Sequence, residues 1–237
     1  MTKRTAKDES QASLADVVSA LEEEIALGQM GPRERLIEEE LAQRFDIKRH
    51  VARQALAELE AMGIVVRQPN RGAAVRDYSP AEVEQLYVVR TLVETCAAGL
   101  ITLPAAPALV RQLTLIHDRH CAAVKKGDLR RVFRENLLFH KTFFAACNNT
   151  SLVEVIEQQA MKAHAIRSYS IGNPELLTAV CSEHATLIGL LAGSDRKRLV
   201  ALVRQHIQPA KNAYLQLGRH LERAGRTTAK VTTGGLR

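Results

Sequence analysis

The sequence predicts a mainly α-helical protein in two parts: a small N-terminal part of three helices and a hairpin, and a larger antiparallel all-α bundle. Three observations indicate this fold class. Apolar residues recur with the period of an amphipathic helix along most of the 237 residues. Two short β-branched runs, close together, have strand character. Aromatic residues make up 4% of the chain and Trp is absent, so Leu, Val, Ile and Ala must form the core.

The N-terminal part begins with an amphipathic helix. Ser13 is a suitable N-cap, and Gly28 ends the run LADVVSALEEEIALG. A short helix is predicted over 37–45 and a third helix over 48–63, separated at Asp46. Two helices joined by so tight a turn predict a helix-turn-helix.

A hairpin is predicted directly after these helices. The runs IVVRQ and AAVRD flank the tip Pro69-Asn70-Arg71-Gly72, and β-branched runs around a Gly-containing tip are typical of a β-hairpin. Three helices followed by a hairpin predict a winged helix-turn-helix, which we place at residues 11–78.

The second part starts at Ser79 and Pro80, because Ser caps helices and Pro suits the first helical turn. Helical periodicity then continues without a strand pattern, and short connections predict an antiparallel bundle. The bundle occupies residues 79–222, and the polar, Gly-rich segment 223–237 is predicted to be a flexible tail. The six predicted helices are 80–102, 105–126, 128–147, 150–169, 174–192 and 195–220.

The charge distribution gives local evidence for a polyanionic partner. The formal net charge of the chain is +7, yet residues 1–80 carry 12 Lys and Arg against 14 Asp and Glu. Within that part, residues 44–76 carry seven basic and three acidic side chains. Taken alone, a basic helix face is equally well explained as a solvated surface.

The basic residues occupy positions that read DNA in a helix-turn-helix, where the start of the second helix faces the bases. In this chain those residues are Lys48, Arg49, His50 and Arg53. Arg49 and Arg53 are four residues apart, so they share a helix face, and guanidinium groups bind guanine or phosphate. Arg71, beside Gly72 at the hairpin tip, can enter a neighbouring minor groove. Together these residues favour binding to a double-stranded DNA operator.

The stretch PRERLIEEELAQRFDIKRHVARQALAELEAMGIVVRQPNRGAAV resembles the N-terminal domain of GntR-type transcription regulators. The resemblance implies that Arg49 and Arg53 contact the operator. It assigns assisting roles to Lys48, His50, Arg71 and Gly72. The chain departs from the family at Glu39, where several relatives have an Arg that helps to bind DNA. We therefore expect an unusual operator sequence.

Histidines in the bundle suggest a metal site without specifying one. Asn136 and His140 lie four residues apart on one helix face, and His residues on several inward helices can bind a metal in a bundle core. Any single His is more often an ordinary core or surface residue, which is how we interpret His117, His120, His164 and His220. The four cysteines, Cys96, Cys121, Cys147 and Cys181, are interpreted as small buried apolar residues.

Residues 82–210 resemble the FCD ligand-binding domain of the FadR subfamily of GntR regulators. The matching pieces are Arg90-x-x-x-Glu94, Asn136-x-x-Phe139-His140, Ala146-x-x-Asn149-x-x-Leu152, Glu183-His184, Gly193-Ser194-Asp195 and His206-Ile207. The resemblance implies an FCD-like bundle with a divalent metal (Zn, Ni, Fe or Mn) held by Asn136, His140, His184 and His206.

Metal-binding relatives have Asp at the position of Asn136. The amide removes the one anionic ligand, so we expect weaker binding of the cation. The alternative is a cavity that holds an organic ligand without a metal.

Arginines in the bundle predict an acidic effector. Arg90 is the main candidate, because an Arg facing a cavity is costly unless it meets an anion. Arg134 and Arg167 are weaker candidates. Beside a metal, such residues would bind a small carboxylate: a hydroxy acid, a sugar acid or a dicarboxylate.

We therefore expect an effector-responsive repressor that forms a homodimer, because the helix at 80–102 is rich in apolar residues and dimers match two-fold operators. The chain starts without an apolar signal segment, and its cysteines are unpaired in sequence, which predicts a cytoplasmic protein with no membrane association. The alternatives are a metal-dependent enzyme on a helical bundle and an effector-independent DNA-binding protein. Against the enzyme, the chain has no HExxH motif, and Glu183 is expected to face away from His184.

Overall fold

The computed structural model describes residues 12–68 and 72–216, which fall into two compact units divided between Asp77 and Tyr78. The division lies one residue before the boundary that we placed between 78 and 79. The predicted fold class is confirmed: helices dominate, and one small three-stranded sheet is present. The predicted tail, 223–237, lies outside the described residues.

The N-terminal unit has the predicted three helices and hairpin, with boundaries set by local signals. Ser13 and Asp16 form a capping box at the start of the first helix. Positive φ angles of 71° at Gly28, 50° at Asp46 and 76° at Gly63 follow the ends of the three helices. The elements are α1 (Leu14–Ala26), β1 (Arg35–Leu36), α2 (Glu38–Arg44), α3 (Arg49–Ala61), β2 (Val65–Gln68) and β3 (Gly72–Val75).

The sheet has β3 in the middle, antiparallel to both β1 and β2. The strand β1 was not predicted, since two residues are too few to show an alternating pattern. Gly72 starts β3 with φ +78°, and a Cβ atom there would lie 2.9 Å from the backbone oxygen of Leu36. Glycine is therefore required at this position, where the hairpin passes over β1.

The C-terminal unit is a helical bundle. Its first helix begins as predicted, with a capping box between Ser79 and Glu82 and Pro80 at the first position. The helices are α4 (Pro80–Leu100), α5 (Pro107–Lys126), α6 (Leu129–Ala145), α7 (Thr150–Lys162), α8 (His164–Arg167), α9 (Pro174–Ala192) and α10 (Arg196–His206). Helical backbone resumes over 208–216.

Two of the predicted helices are interrupted. The helix predicted over 195–220 breaks at Ile207, because Pro209 has no N–H to donate to the carbonyl of Gln205, four residues earlier. The helix predicted over 150–169 breaks at Ala163 into α7 and α8. No helix-breaking residue marks that second position.

The core of the bundle is apolar and is formed mainly by α4, α5, α6, α9 and α10. Its largest fully buried members include Phe139, Phe143, Leu113 and Ile101. Among the described helices, α9 has the length and mean hydropathy, 1.3, of a membrane span. Core helices of soluble proteins share these properties, and α9 packs against α5 and α10.

Candidate functional sites

The first residues of α3 form an exposed basic surface. Arg49 and His50 lie in the first turn and Arg53 in the next, all exposed. Lys48 is the N-cap, no side chain caps this helix terminus, and its first turn contains no acidic residue. The free N–H groups and the positive end of the helix dipole therefore favour an anion such as a DNA phosphate.

Two carboxylates of α2 contact the arginines of α3. Glu38 Oε2 lies 3.2 Å from Arg49 Nε and 3.1 Å from Arg53 Nη2, and Glu39 Oε2 lies 3.3 Å from Arg49 Nη1. The hydrogen bond from Arg53 lowers the pKa of Glu38. Both arginine side chains remain more than half exposed, at 62% and 55%. The Arg49–Glu39 pair is exposed on both partners and is therefore weak, whereas Glu38, at 15% exposure, holds both guanidinium groups more firmly.

The wing contributes two of the predicted DNA-binding residues. Arg71 belongs to 69–71 and lies outside the described residues, so its predicted contact stays a prediction. Gly72 is placed at the start of β3, where its positive φ shapes the hairpin next to that tip.

Three of the four predicted metal ligands meet in the bundle. The ring nitrogens of His140 on α6, His184 on α9 and His206 at the end of α10 lie within 4.8 Å of one another. His140 Nε2 and His206 Nε2 are 3.3 Å apart. Metal–nitrogen bonds of ~2.0–2.1 Å at tetrahedral angles place two nitrogen ligands about 3.3–3.4 Å apart, so this spacing fits a shared metal ion.

His140 and His184 are suited to metal binding because burial keeps them neutral. Burial lowers the pKa of both His140 and His184 well below its ordinary value. His184 stacks on Phe139 with ring centroids 3.8 Å apart, and neither of its ring nitrogens has a hydrogen-bond partner. Burying an imidazole whose nitrogens have no hydrogen-bond partner costs free energy. Coordination of a metal ion by one of these nitrogens would offset that cost.

Glu183 orients one of the three imidazoles. Its Oε2 lies 2.5 Å from His206 Nδ1, so it accepts the Nδ1 proton and leaves Nε2 directed to His140. Glu183 was expected to point to a different helix face from His184, and its contact with His206 on α10, reached from α9, was not anticipated. Asn136, one helical turn before His140, lines the same cavity as His140 and His206.

His140 and His206 border a cavity of about 100 Å³ that Arg90 and Arg167 also line. Arg90 is buried and already paired: its Nη2 lies 2.8 Å from Glu94 Oε1, and its guanidinium lies over the Tyr87 ring. Arg167 has a buried Nη1 without a hydrogen-bond partner, and burial lowers its pKa to about 10, so it stays charged at neutral pH.

Arg134, the third predicted effector residue, is exposed and does not line the cavity. Of the three arginines, Arg167 is thus the one with a free donor, although the sequence favoured Arg90. Arg90 was the main candidate because a buried arginine needs an anionic partner. The sequence alone does not show that Glu94 is that partner.

A second cluster was missed. His120, Cys121 and Cys181 bring one ligand atom each within 4.8 Å of the others, and His117 contacts Cys121. The interpretation of His117 and His120 as ordinary residues, and of the cysteines as simple apolar ones, overlooked the spacing H-x-x-H-C over 117–121. That spacing places all three side chains on one side of α5.

Comparisons with known proteins agree with the fold. Residues 14–75 match the family model of bacterial regulatory proteins of the gntR family, and residues 85–209 match that of the FCD domain. The transcriptional regulator McbR of Escherichia coli K12 is 23% identical over 185 residues, covering 76% of this chain and 83% of that protein. The repressor RspR of the same organism is 22% identical over 220 residues, covering 92% and 95%.

The gluconate operon repressor of Bacillus subtilis is 23% identical over 184 residues, covering 75% of this chain and 74% of that protein. The solved structure of E. coli McbR/YncC has a TM-score of 0.75 at 20% identity, covering 86% of this chain and 97% of that one. A GntR regulator from Rhodococcus sp. RHA1 has a TM-score of 0.72 at 20% identity, with the same coverage. The structural likeness shows a shared fold.

The FCD match alone spans more than half of the chain, and the gntR match covers the winged helix-turn-helix that precedes it. The chain therefore belongs to the GntR family of bacterial regulatory proteins, in the group with an FCD domain, and it is a DNA-binding transcription regulator rather than an enzyme.

Proposed function

We propose that this regulator is a repressor whose affinity for its operator changes when a small organic acid binds, beside a metal ion, in the cavity of the helical unit. The observation that carries the effector proposal is the presence, around one cavity, of a charged Arg167 nitrogen without a partner and of His140 and His206, which belong to the cluster of three histidines. Repressors also occur among the relatives, namely RspR and the gluconate operon repressor.

The DNA-reading surface in this proposal is the start of α3 together with the wing. Arg49 and Arg53 would leave the α2 carboxylates to contact bases and phosphates, with Lys48 and His50 beside them. Arg71 would reach the adjacent minor groove, next to Gly72.

The size and polarity of the cavity favour a small carboxylate as effector. A cavity of about 100 Å³ has room for a few ordered waters or a short organic acid. A carboxylate would accept hydrogen bonds from Arg167 and replace the partner that its Nη1 lacks. Since Glu94 neutralises Arg90, one negative charge on the effector balances Arg167.

The residues proposed to hold a divalent metal (Zn, Ni, Fe or Mn) are His140, His184 and His206, with Asn136 as a weaker oxygen ligand. Unpartnered buried nitrogens on His184 and the spacing of His140 and His206 fit such an ion. Glu183 contacts His206 and so brings a negative charge close to the site. This charge partly replaces the one that an aspartate would supply at the position of Asn136. When bound, the metal would supply a Lewis acid that attracts carboxylate and hydroxyl oxygens.

We also propose a homodimer in the cytoplasm. The α4 helix exposes a set of large apolar side chains, and Val88 and Leu92, at 59% and 65% exposure, lie four residues apart on one face. Apolar side chains grouped in this way typically contact another subunit, here a second copy of the chain.

The proposal is tested by selecting duplexes from a random-sequence pool with the purified protein and measuring affinity for the winning sequence by fluorescence anisotropy. Short hydroxy acids, sugar acids and dicarboxylates are then added, with and without Zn²⁺, Ni²⁺, Fe²⁺ or Mn²⁺. At least one acid should change the affinity severalfold. If every acid leaves the affinity unchanged, with each metal and without metal, the protein binds DNA independently of a carboxylate effector.

A further inference from the structure

Two helices of the bundle bring sulfur and imidazole groups together beside the proposed effector cavity, which His120 also lines. On α5 lie His117, His120 and Cys121, and on α9 lies Cys181. One ligand atom from each of His120, Cys121 and Cys181 lies within 4.8 Å of the other two. His117 Nδ1 lies 3.6 Å from the sulfur of Cys121, at the edge of this group of three.

The spacing of the donors is that of ligands around one ion. Cys181 Sγ lies 3.5 Å from His120 Nδ1, and Cys121 Sγ lies 3.6 Å from His117 Nδ1. Tetrahedral bonds of ~2.3 Å to sulfur and ~2.0–2.1 Å to nitrogen place a sulfur and a nitrogen ligand about 3.5 Å apart. Two sulfur–nitrogen pairs thus already have the required separation.

The burial of His120 is a second, independent indication that a ligand binds at this cluster. Its side chain is only 1% exposed, and its Nε2 has no hydrogen-bond partner. The other ring nitrogen meets only a thiol, which is a weak hydrogen-bond partner. Such an imidazole is poorly satisfied by its protein surroundings, whereas coordination of an ion through Nδ1 would satisfy it.

We propose that His120, Cys121 and Cys181, with His117 as the fourth ligand, form a second metal site for a borderline-soft ion such as Zn²⁺. The donor set of two thiols and two imidazoles is the one that zinc prefers, and thiolates distinguish this site from the all-imidazole cluster of His140, His184 and His206. Binding displaces one proton from each cysteine, so one divalent ion and two thiols give a neutral dithiolate complex and two released protons.

The site would join α5 to α9 next to the first cluster. The ring of His184 lies between the two, with its centroid 5.3 Å from that of His120 and 5.3 Å from that of His140. Loading of the thiolate site therefore fixes the helix that carries His184. Its ligands differ from the three histidines of the first cluster, although His120 also lines the effector cavity.

Cobalt(II) titration under anaerobic, phosphine-reduced conditions tests the proposal, because only thiolate ligands give a sulfur-to-cobalt charge-transfer absorption in the near ultraviolet. The wild-type chain should show this band, and Cys121→Ser and Cys181→Ser should each lose most of its intensity. The matched control Cys96→Ser, at an exposed cysteine outside the cluster, should keep it. The double variant His140→Ala/His206→Ala should also keep it, which separates this site from the effector site.

Absence of the band from the wild-type protein, or its persistence in a Cys121→Ser/Cys181→Ser double variant, would overturn the proposal. Since a serine variant could fail to fold, X-ray absorption fine structure of the zinc-loaded wild-type protein gives an independent readout. Sulfur ligands at ~2.3 Å together with nitrogen ligands at ~2.0–2.1 Å support the site, and nitrogen or oxygen ligands alone contradict it.

Discussion

Arg90 and Arg167 line the same cavity, yet their surroundings give the two charges different roles. Glu94 accepts two hydrogen bonds from Arg90, at 2.9 Å from Nε and 2.8 Å from Nη2, so this pair is complete without a ligand. Arg167 keeps a buried nitrogen unsatisfied. A buried charged donor without a partner lowers the stability of the free protein and becomes favourable only when an anion arrives.

The first prediction concerns this residue. Arg167→Met should raise the free energy of unfolding of the unliganded protein by about 1 kcal/mol, because an unpaired buried donor is removed. It should also reduce affinity for the effector acid by at least about tenfold, since a charged hydrogen bond is lost. Urea unfolding and calorimetry measure the two effects. Arg134→Met, at an exposed position outside the cavity, is the control and should change neither quantity.

A second prediction follows from the neutral histidines. The pKa values of His140 and His184 are lowered in the folded state, so below the ordinary His pKa of about 6.5 the unfolded chain takes up protons that the folded chain does not. For each unit by which the pH falls below this value, each residue should lower the free energy of unfolding by about 1.4 kcal/mol. Stability of the metal-free protein should thus fall between pH 7 and pH 5.

Urea unfolding in the presence of a chelator checks this pH dependence. The variant His184→Gln should show a shallower loss of stability with falling pH, whereas His50→Gln, at an exposed position on α3, should keep the wild-type slope. An unchanged slope in His184→Gln would show that this residue is protonated in the folded protein.

At the scale of elements, α2 and α3 form a basic surface that is partly masked by acidic residues. Glu39 is 66% exposed and pairs with Arg49 at the position where several GntR regulators have an Arg. In the proposed complex, this carboxylate would compete with DNA for Arg49 and repel phosphate. Because the pair is exposed, its effect should weaken as salt rises.

The third prediction is that Glu39→Gln raises affinity for the selected operator severalfold at low salt, with a smaller gain at high salt. Fluorescence anisotropy across a salt series measures it. Glu40→Gln, a neighbouring exposed glutamate of the same helix, should have a clearly smaller effect. Equal gains from both substitutions would indicate a general charge effect and not competition for Arg49.

The wing gives a fourth prediction. Gly72→Ala should lower the free energy of unfolding by at least about 1 kcal/mol, because alanine is strained at φ +78° and its Cβ would lie 2.9 Å from the Leu36 oxygen. At Gly31, the control position, an added Cβ meets nothing nearer than Glu34 Oε2 at 4.0 Å. Chemical unfolding should therefore leave Gly31→Ala close to wild type. Similar losses at both positions would contradict the strain argument.

Much of the fold was predictable because its signals are local. Ser13 and Ser79 cap helices, and Gly28 and Gly63 follow helix ends, as their sequence context indicates. The break at Ile207 was also readable, from Pro209, but was overlooked. The break at Ala163 and the two-residue strand β1 depend on tertiary contacts that no local pattern records.

The sites were predictable only in part, since their members come from distant segments. Resemblance to the family, and not spacing, identified His140, His184 and His206, which lie on three helices. The pairing of Arg90 with Glu94 and the free nitrogen of Arg167 require the folded arrangement. The contact between Glu183 and His206 joins residues 23 positions apart and has no sequence signal.

At the scale of the whole molecule, a gntR-type DNA-binding unit and an FCD unit share one chain, as expected for a regulator of this family. Coupling between two such sites is a free energy of typically 1–3 kcal/mol, or roughly 5- to 150-fold in affinity. It is also reciprocal, so an acid that weakens operator binding must bind less tightly to the DNA-bound protein.

The most direct test is the operator affinity of the wild type and of Arg167→Met, each measured with and without the acid that calorimetry identifies. We predict that the acid weakens operator binding by the wild type at least about fivefold and leaves the affinity of Arg167→Met unchanged. If the acid changes both affinities equally, the effector does not act through this cavity. If it binds the wild type without changing its operator affinity, the cavity does not regulate DNA binding.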